Sequence, residues 1–150
     1  MATEEIVHAN RSGAGKPKSL ARHLPTAARI VMGLIFAVFG LNMLLNFLPQ
    51  PSTPMPDRAV ALGVALMKTG YLYQLVAGTE VLVGALLLAN RFVALALALI
   101  APVIVNIVAF HIFLAPSGLA MALVVLALET YLAWVYRSAF RPMLAARLHP

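Results

Sequence analysis

Two glutamates and one histidine lie inside long apolar stretches of this chain, namely Glu80, Glu129 and His111. Charged groups are costly inside a bilayer, so by default such residues are candidates for function. Glu80 could carry a proton or bind a ligand, or it could be a structural acid that is hydrogen-bonded to a neighbouring helix. For Glu129 the structural interpretation is favoured, because water or Arg137 could reach it. A Glu80–Glu129 pair that shares a proton is also left open.

His111 has the side chain of a metal or haem ligand, but it is the one histidine within the apolar stretches. A bis-histidine haem would therefore need a second ligand from another chain. The favoured interpretation is an interfacial histidine that bonds a backbone carbonyl or Asn106. We predict no metal site, and no cofactor is expected within the chain itself.

Neutral amides accompany these groups at Asn42, Asn46 and Asn106. Depths estimated from about 1.5 Å of rise per helical residue place Glu80 near the midplane and His111 near the outer end of its helix. The amides and these two residues are thus predicted to cluster at the outer side and centre of the protein. We interpret the asparagines as contacts between helices rather than as ligands.

Four apolar stretches must position these residues, and each is about as long as a bilayer is thick. The chain is 62% hydrophobic and 11% charged, with a mean hydropathy of +0.91. These features predict an all-α fold, a polytopic membrane four-helix bundle whose partner is the lipid bilayer. Residues 59–67 are too few to span, which predicts a short extra helix in the first external loop. The four stretches are Ala27–Leu48, Tyr71–Ala89, Phe92–Ala115 and Leu119–Tyr136.

Small residues on the second stretch predict where two helices approach each other. Ala77 and Gly84 share a helical face with Glu80, so another helix is expected to pack closely beside this glutamate.

Charge placement predicts the domain organisation and the topology. Residues 1–25 are predicted to be a disordered basic cytoplasmic tail, 26–142 the transmembrane domain, and 143–150 a second cytoplasmic tail. All of the 11 lysines and arginines except Arg58 and Lys68 fall on one side of the predicted spans, which places both termini in the cytoplasm. The net charge of +6 is then explained by topology and by anionic lipid, so no nucleic-acid partner is predicted.

Several kinds of chemistry find no support in the residues. The chain has no cysteine, which excludes disulfides, thiolate-bound iron–sulfur clusters and dithiol redox chemistry within it. No phosphate-binding loop, metal-binding histidine pair or nucleophile elbow occurs. Whether the chain is an enzyme stays open, and a non-catalytic subunit is favoured.

Four segments resemble the DoxX family of small bacterial membrane proteins. They are GLIFAVFGLN (33–42), TGYLYQLVAGTEVLVG (69–84), NRFV (90–93) and APVIVNIVAFHIFL (101–114). The resemblance runs from about Arg29 to Pro142 and includes the membrane glutamate, Glu80. It implies a multi-pass, four-helix protein of the bacterial inner membrane.

The resemblance also suggests partners. The family takes its name from the small membrane subunit of an archaeal thiosulfate:quinone oxidoreductase, and some relatives act with partners in redox complexes. This chain departs from the family at Met43, where many relatives carry a lysine after the Gly-Leu-Asn stretch. The Lys–Glu pair of such bundles would then be missing, and Glu80 would lack that partner.

Three functions follow as hypotheses. The first is a helper or anchor subunit of a quinone-linked oxidoreductase complex, with a partner subunit that carries the redox centre and with quinone as a candidate ligand. The second is a small proton-coupled carrier centred on Glu80, which would need to form a homodimer. An interface lined by Gly33, Gly40 or Gly84 would favour it. The third is a structural membrane protein without catalysis.

Overall fold

The chain folds into helices joined by short turns. The structure is a computed structural model that describes residues 18–49 and 54–142, and in these ranges it contains no β-strand. The predicted all-α fold is confirmed, including the short extra helix after the first span. The helices are α1 (Lys18–Leu45), α2 (Asp57–Lys68), α3 (Leu72–Leu88), α4 (Val93–Phe113), α5 (Leu119–Val135) and α6 (Arg137–Phe140), and a 3₁₀ turn at Pro116–Gly118 precedes α5.

Three segments of the described residues are individually long and apolar enough to cross a bilayer: Arg22–Leu45, Val93–Phe113 and Pro116–Val135. The fourth predicted span corresponds to α3, which has 17 residues and lies at the short end of the spanning range. Helix α2 precedes α3 at a bend of 94°, and the two together pass the same test. The protein is therefore a multi-pass membrane bundle, and its described residues contain three spans, or four when the bent pair of α2 and α3 counts as one span.

Helix α1 differs from the prediction at both ends. It begins at Lys18, so residues 18–25 of the predicted tail are helical, and Pro25 lies inside the helix. A proline is favoured at a helix start, but inside a helix it removes one hydrogen bond and the helix can continue. At the other end α1 stops at Leu45, because Asn46 adopts a left-handed φ of 49°. Residues 1–17 and 143–150, the rest of the two predicted tails, lie outside the described residues.

The helices run alternately up and down. Helix α1 packs most extensively against α3 and also contacts α5, whereas α4 packs between α3 and α5. Thus α3 and α5 occupy opposite corners of the bundle. The largest fully buried side chains, which form its core, are Met32, Phe36, Val83, Leu87, Leu97, Ile100, Ile104 and Leu132.

The outward faces of the bundle are also apolar. Large side chains such as Leu34, Phe39, Leu82 and Val105 are exposed around its circumference. In water such a surface would aggregate, whereas in a bilayer it contacts lipid tails of the same polarity. The helices are thus held together by close packing and polar contacts rather than by apolar burial alone.

Candidate functional site

Glu80 lies in the middle of α3 and faces α1, with 5% of its surface exposed. The facing residue is Gly40, where an added Cβ would lie 2.8 Å from the Cβ of Glu80 and 2.9 Å from the carbonyl oxygen of Ala77. The predicted close approach of a helix beside Glu80 is confirmed, and the approaching helix is α1. Within residues 18–49 and 54–142 no hydrogen bond to the Glu80 carboxyl group is found.

The three glycines that the carrier hypothesis placed at a dimer interface are used inside the protomer. A Cβ added to Gly33 would lie 3.0 Å from Leu88 Cγ. A Cβ added to Gly84 would lie 2.5 Å from the backbone nitrogen of Ala37. Because Gly40 faces Glu80, all three lie between α1 and α3. The glycine-lined dimer interface that would favour the carrier is therefore not supported, because α1 and α3 already pack against each other at these glycines.

Glu129 lies on α5 and is also buried, with 8% of its surface exposed. One carboxylate oxygen, Oε2, is fully enclosed and has no hydrogen-bond partner among residues 18–49 and 54–142. Glu129 lines a cavity of about 350 Å³ between α4, α5 and α6. A buried polar atom without a partner is costly, so a purely structural role leaves this oxygen unexplained.

Arg137, the predicted helper of Glu129, is bonded elsewhere. Its Nη1 donates to the carbonyl oxygen of Trp134 at 3.0 Å, and its guanidinium lies 4.7 Å from the centre of the Trp134 ring. The cation–π contact and the hydrogen bond hold this side chain against its own helix turn. Arg137 lines the same cavity as Glu129 without pairing with it.

The two carboxylates do not form a pair. They project from α3 and α5, which lie at opposite corners of the bundle, and no hydrogen bond joins Glu80 to Glu129 among the described residues. The protein therefore has two separate acidic positions, one in a close helix contact and one beside a cavity.

The asparagines do not form the predicted polar cluster. Asn106 is exposed, and its Nδ2 donates to the Pro102 carbonyl oxygen one turn back at 3.0 Å. Asn42 accepts the Leu48 backbone N–H through Oδ1 at 2.7 Å and thereby closes the end of α1. Asn46 lies beyond that helix end. The hydrogen bonds of Asn42 and Asn106 are to backbone groups nearby in sequence, so these two side chains serve their own segments rather than a shared site.

His111 also bonds locally. Its Nδ1 donates to the Ala115 carbonyl oxygen at 2.9 Å, which confirms the predicted bond to a backbone carbonyl, whereas Asn106 bonds Pro102 instead. The ring packs directly over Gly118 in the turn before α5. No group of three metal-ligating side chains is found among the residues that the structure describes.

The contact between His111 and Gly118 can be tested. An added Cβ at Gly118 would overlap the His111 ring, so the Gly118→Ala variant is expected to displace the ring and break its bond to Ala115. The cost is about 0.5–1.5 kcal/mol, typical of one hydrogen bond. NMR of the His111 ring and thermal unfolding in detergent would measure both effects. Gly63→Ala, where nothing lies within 4 Å, is the matched control.

Arg29 is the residue that sequence reasoning missed. It was counted for topology alone, yet its surface is only 7% exposed, and its Nη1 donates to the Leu87 carbonyl oxygen and lies 3.4 Å from that of Leu88. The last carbonyl groups of a helix lack partners and carry partial negative charge, so a cation there is favourable. The position of Arg29 inside the predicted Ala27–Leu48 span was the available signal.

No protein-family model, curated protein or solved structure matches this chain. The resemblance to the DoxX family therefore stays a prediction, and the function is argued from the residues and their geometry.

Proposed function

We propose that this chain is a helper or anchor subunit of a quinone-linked oxidoreductase complex in the bacterial inner membrane, with both termini in the cytoplasm. The observation that carries the proposal is the closed contact between α1 and α3 around Glu80. Gly40 and Gly84 bring the two backbones together there, and Arg29 binds the end of α3. A closed interface of this kind suits a subunit that holds a partner at the membrane without changing its own shape.

The same contact weighs against the carrier centred on Glu80. A carrier needs water or a ligand to reach this carboxylate, and it needs helices that rearrange around it. Instead, Glu80 lies against the Gly40 backbone of α1 and is buried there. The glycines proposed for a carrier dimer are also occupied within the protomer.

The redox part of the proposal is supported by the DoxX resemblance. A partner subunit would carry the redox centre, and this chain would hold it at the membrane. The orientation is supported by Arg91 and Arg137, which are exposed at one end of the bundle, whereas Arg58 and Lys68 follow the opposite end of α1.

Affinity purification of the tagged protein in mild detergent, followed by mass spectrometry and an absorption spectrum, tests the proposal. A stoichiometric oxidoreductase partner is the expected result. A homo-oligomer without a partner or a chromophore would overturn the anchor proposal and would favour transport that depends on Glu80.

The Glu80→Gln variant separates an anchor from a carrier. The amide has nearly the same size as the acid but exchanges no proton, so we expect the folded variant to retain its partner and its thermal stability. Co-purification yield and the unfolding temperature are the measurements. Thr79→Val is the matched control, because Thr79 is the neighbouring residue and bonds only the Leu75 carbonyl of its own helix. Loss of transport by a folded Glu80→Gln variant would instead support the carrier.

A further inference from the structure

The cavity beside Glu129 is a groove that opens on the outer surface of the bundle. Its volume is about 350 Å³, and its lining residues belong to α4, α5 and α6. Because the outer faces of this bundle contact lipid tails, a groove that opens between two spans can be entered from the bilayer. We call it the Arg137 groove, after the arginine that lines one end of it.

The walls of the Arg137 groove are apolar. The space between α4 and α5 is left open by the small side chains of Ala98, Ala101 and Ala133, and the Phe140 ring forms part of the wall. The Oε2 atom of Glu129 is enclosed and cannot be reached from the groove. The groove therefore suits a fatty acyl chain, which needs an apolar surface and no hydrogen-bond partner.

Arg137 lies at the depth of the lipid head groups. It follows α5, which ends at Val135, and Trp134, against which it packs, is 63% exposed. Tryptophan is enriched where the hydrocarbon core meets the head groups, so Trp134 marks this level of the bilayer. Arg137 lies roughly two helical turns beyond Glu129 along the chain. A lipid with its head group at Arg137 would therefore extend an acyl chain along the groove and into the bilayer.

The guanidinium of Arg137 has donors that the protein leaves free. It lies over the Trp134 ring, 4.7 Å from the ring centre, and Nη1 donates to the Trp134 carbonyl oxygen at 3.0 Å. A guanidinium has five N–H donors in its plane, so stacking on a ring leaves its edge available. No other hydrogen bond of this side chain is found among the residues that the structure describes. The free donors match the geometry of a phosphate group.

A second cation favours a lipid with net negative charge. Arg141 is exposed one helical turn after Arg137. None of the acidic residues that the structure describes lies at this end of the bundle, since Asp57 precedes α2 and both Glu80 and Glu129 are buried within the spans. The ammonium group of a zwitterionic lipid would meet two cations here without a carboxylate partner. A head group that carries only the phosphate charge meets the same two cations favourably.

We propose that the Arg137 groove binds an anionic phospholipid. The phosphate group accepts hydrogen bonds from the Arg137 guanidinium, and one acyl chain lies between α4 and α5. This site differs from the general attraction between a basic surface and anionic lipid, because it requires both the groove and the arginine at its end. The inference does not depend on the proposed redox partner.

Lipid retention by the full chain tests this inference. The chain is purified in mild detergent, incubated with equal amounts of phosphatidylglycerol and phosphatidylcholine that carry the same acyl chains, and separated from free lipid by gel filtration. The lipid retained per chain is measured by mass spectrometry. We expect saturable retention of phosphatidylglycerol. Its preference over phosphatidylcholine should fall about tenfold in Arg137→Gln, as expected for hydrogen bonds to a charged group.

Two controls separate the site from net charge and from folding. Arg22 is exposed on α1, outside the groove, so Arg22→Gln removes the same charge and should change the lipid preference much less than Arg137→Gln does. Ala101→Leu places a larger side chain in the groove and is expected to lower the retention of phosphatidylglycerol. Ala85→Leu, at an exposed position on α3, should leave that retention unchanged.

Equal retention of the two lipids by the unaltered chain would overturn the inference, and this comparison needs no variant to fold. An equal loss of preference in folded Arg137→Gln and Arg22→Gln would also overturn it, since the attraction would then come from net charge alone. Unchanged retention in Ala101→Leu would reject the position of the acyl chain. Inorganic phosphate in excess should leave the lipid bound, and release of the lipid would identify a site for free phosphate instead.

Discussion

Replacement of Gly84 by alanine is expected to destabilise the bundle by about 1–3 kcal/mol, the range for overpacking a close-packed interior. A Cβ at Gly84 would lie 2.5 Å from the backbone nitrogen of Ala37 and 2.8 Å from its Cα atom. Backbone atoms cannot rotate out of the way as a side chain can. Helices α1 and α3 must therefore separate, and thermal unfolding in detergent should show a lower midpoint.

The matched control for this substitution lies on the same helix. Gly78 is exposed on α3, and a Cβ added there would meet nothing within 4 Å. Gly78→Ala should leave the unfolding temperature unchanged or raise it, since alanine favours a helix over glycine by about 1 kcal/mol. If Gly84→Ala unfolded at the same temperature as Gly78→Ala, the close contact between α1 and α3 would be refuted.

The location of this contact was partly predictable. Ala77 and Gly84 on the face of Glu80 correctly indicated that a helix approaches there, because small residues permit close packing between membrane helices. The sequence could not identify α1 as that helix. All four apolar stretches are similar in composition, and the pairing depends on Gly40 and Ala37 meeting α3 at the right depth.

For the polar residues too, the sequence indicated their positions along the helices but not their contacts. Length and hydropathy placed Glu80 and Glu129 in the middle of apolar stretches, but they did not predict that both side chains would face the interior of the bundle, where they are buried. Their polar partners were not predictable, because the polar side chains expected near them bond backbone groups of their own segments instead. Asn106 bonds Pro102 and Arg137 bonds Trp134, both within one helical turn. Such local bonds compete with contacts between helices, and residue spacing does not decide between them.

The Arg29→Met variant should destabilise the bundle by about 1.5–3 kcal/mol, the range for hydrogen bonds to a charged group. Methionine keeps part of the apolar stem but removes the donors that Leu87 and Leu88 face. The end of α3 would then lose its side-chain donor and the positive charge that favours the helix dipole. We expect a lower unfolding temperature and faster amide exchange at Asn90, whose N–H donates to the Leu87 carbonyl oxygen at 3.2 Å.

Arg22→Met provides the control for charge and topology. Arg22 lies on the same helix and is exposed, so this variant removes the same charge without touching α3. If both variants lowered the unfolding temperature equally, the effect would come from net charge rather than from the bond to Leu87. A loss confined to Arg29→Met would show that a residue counted by the positive-inside rule also holds α1 to α3. The buried Arg29 would then fasten the end of the interface that encloses Glu80, and the glycines would set the distance between the helices.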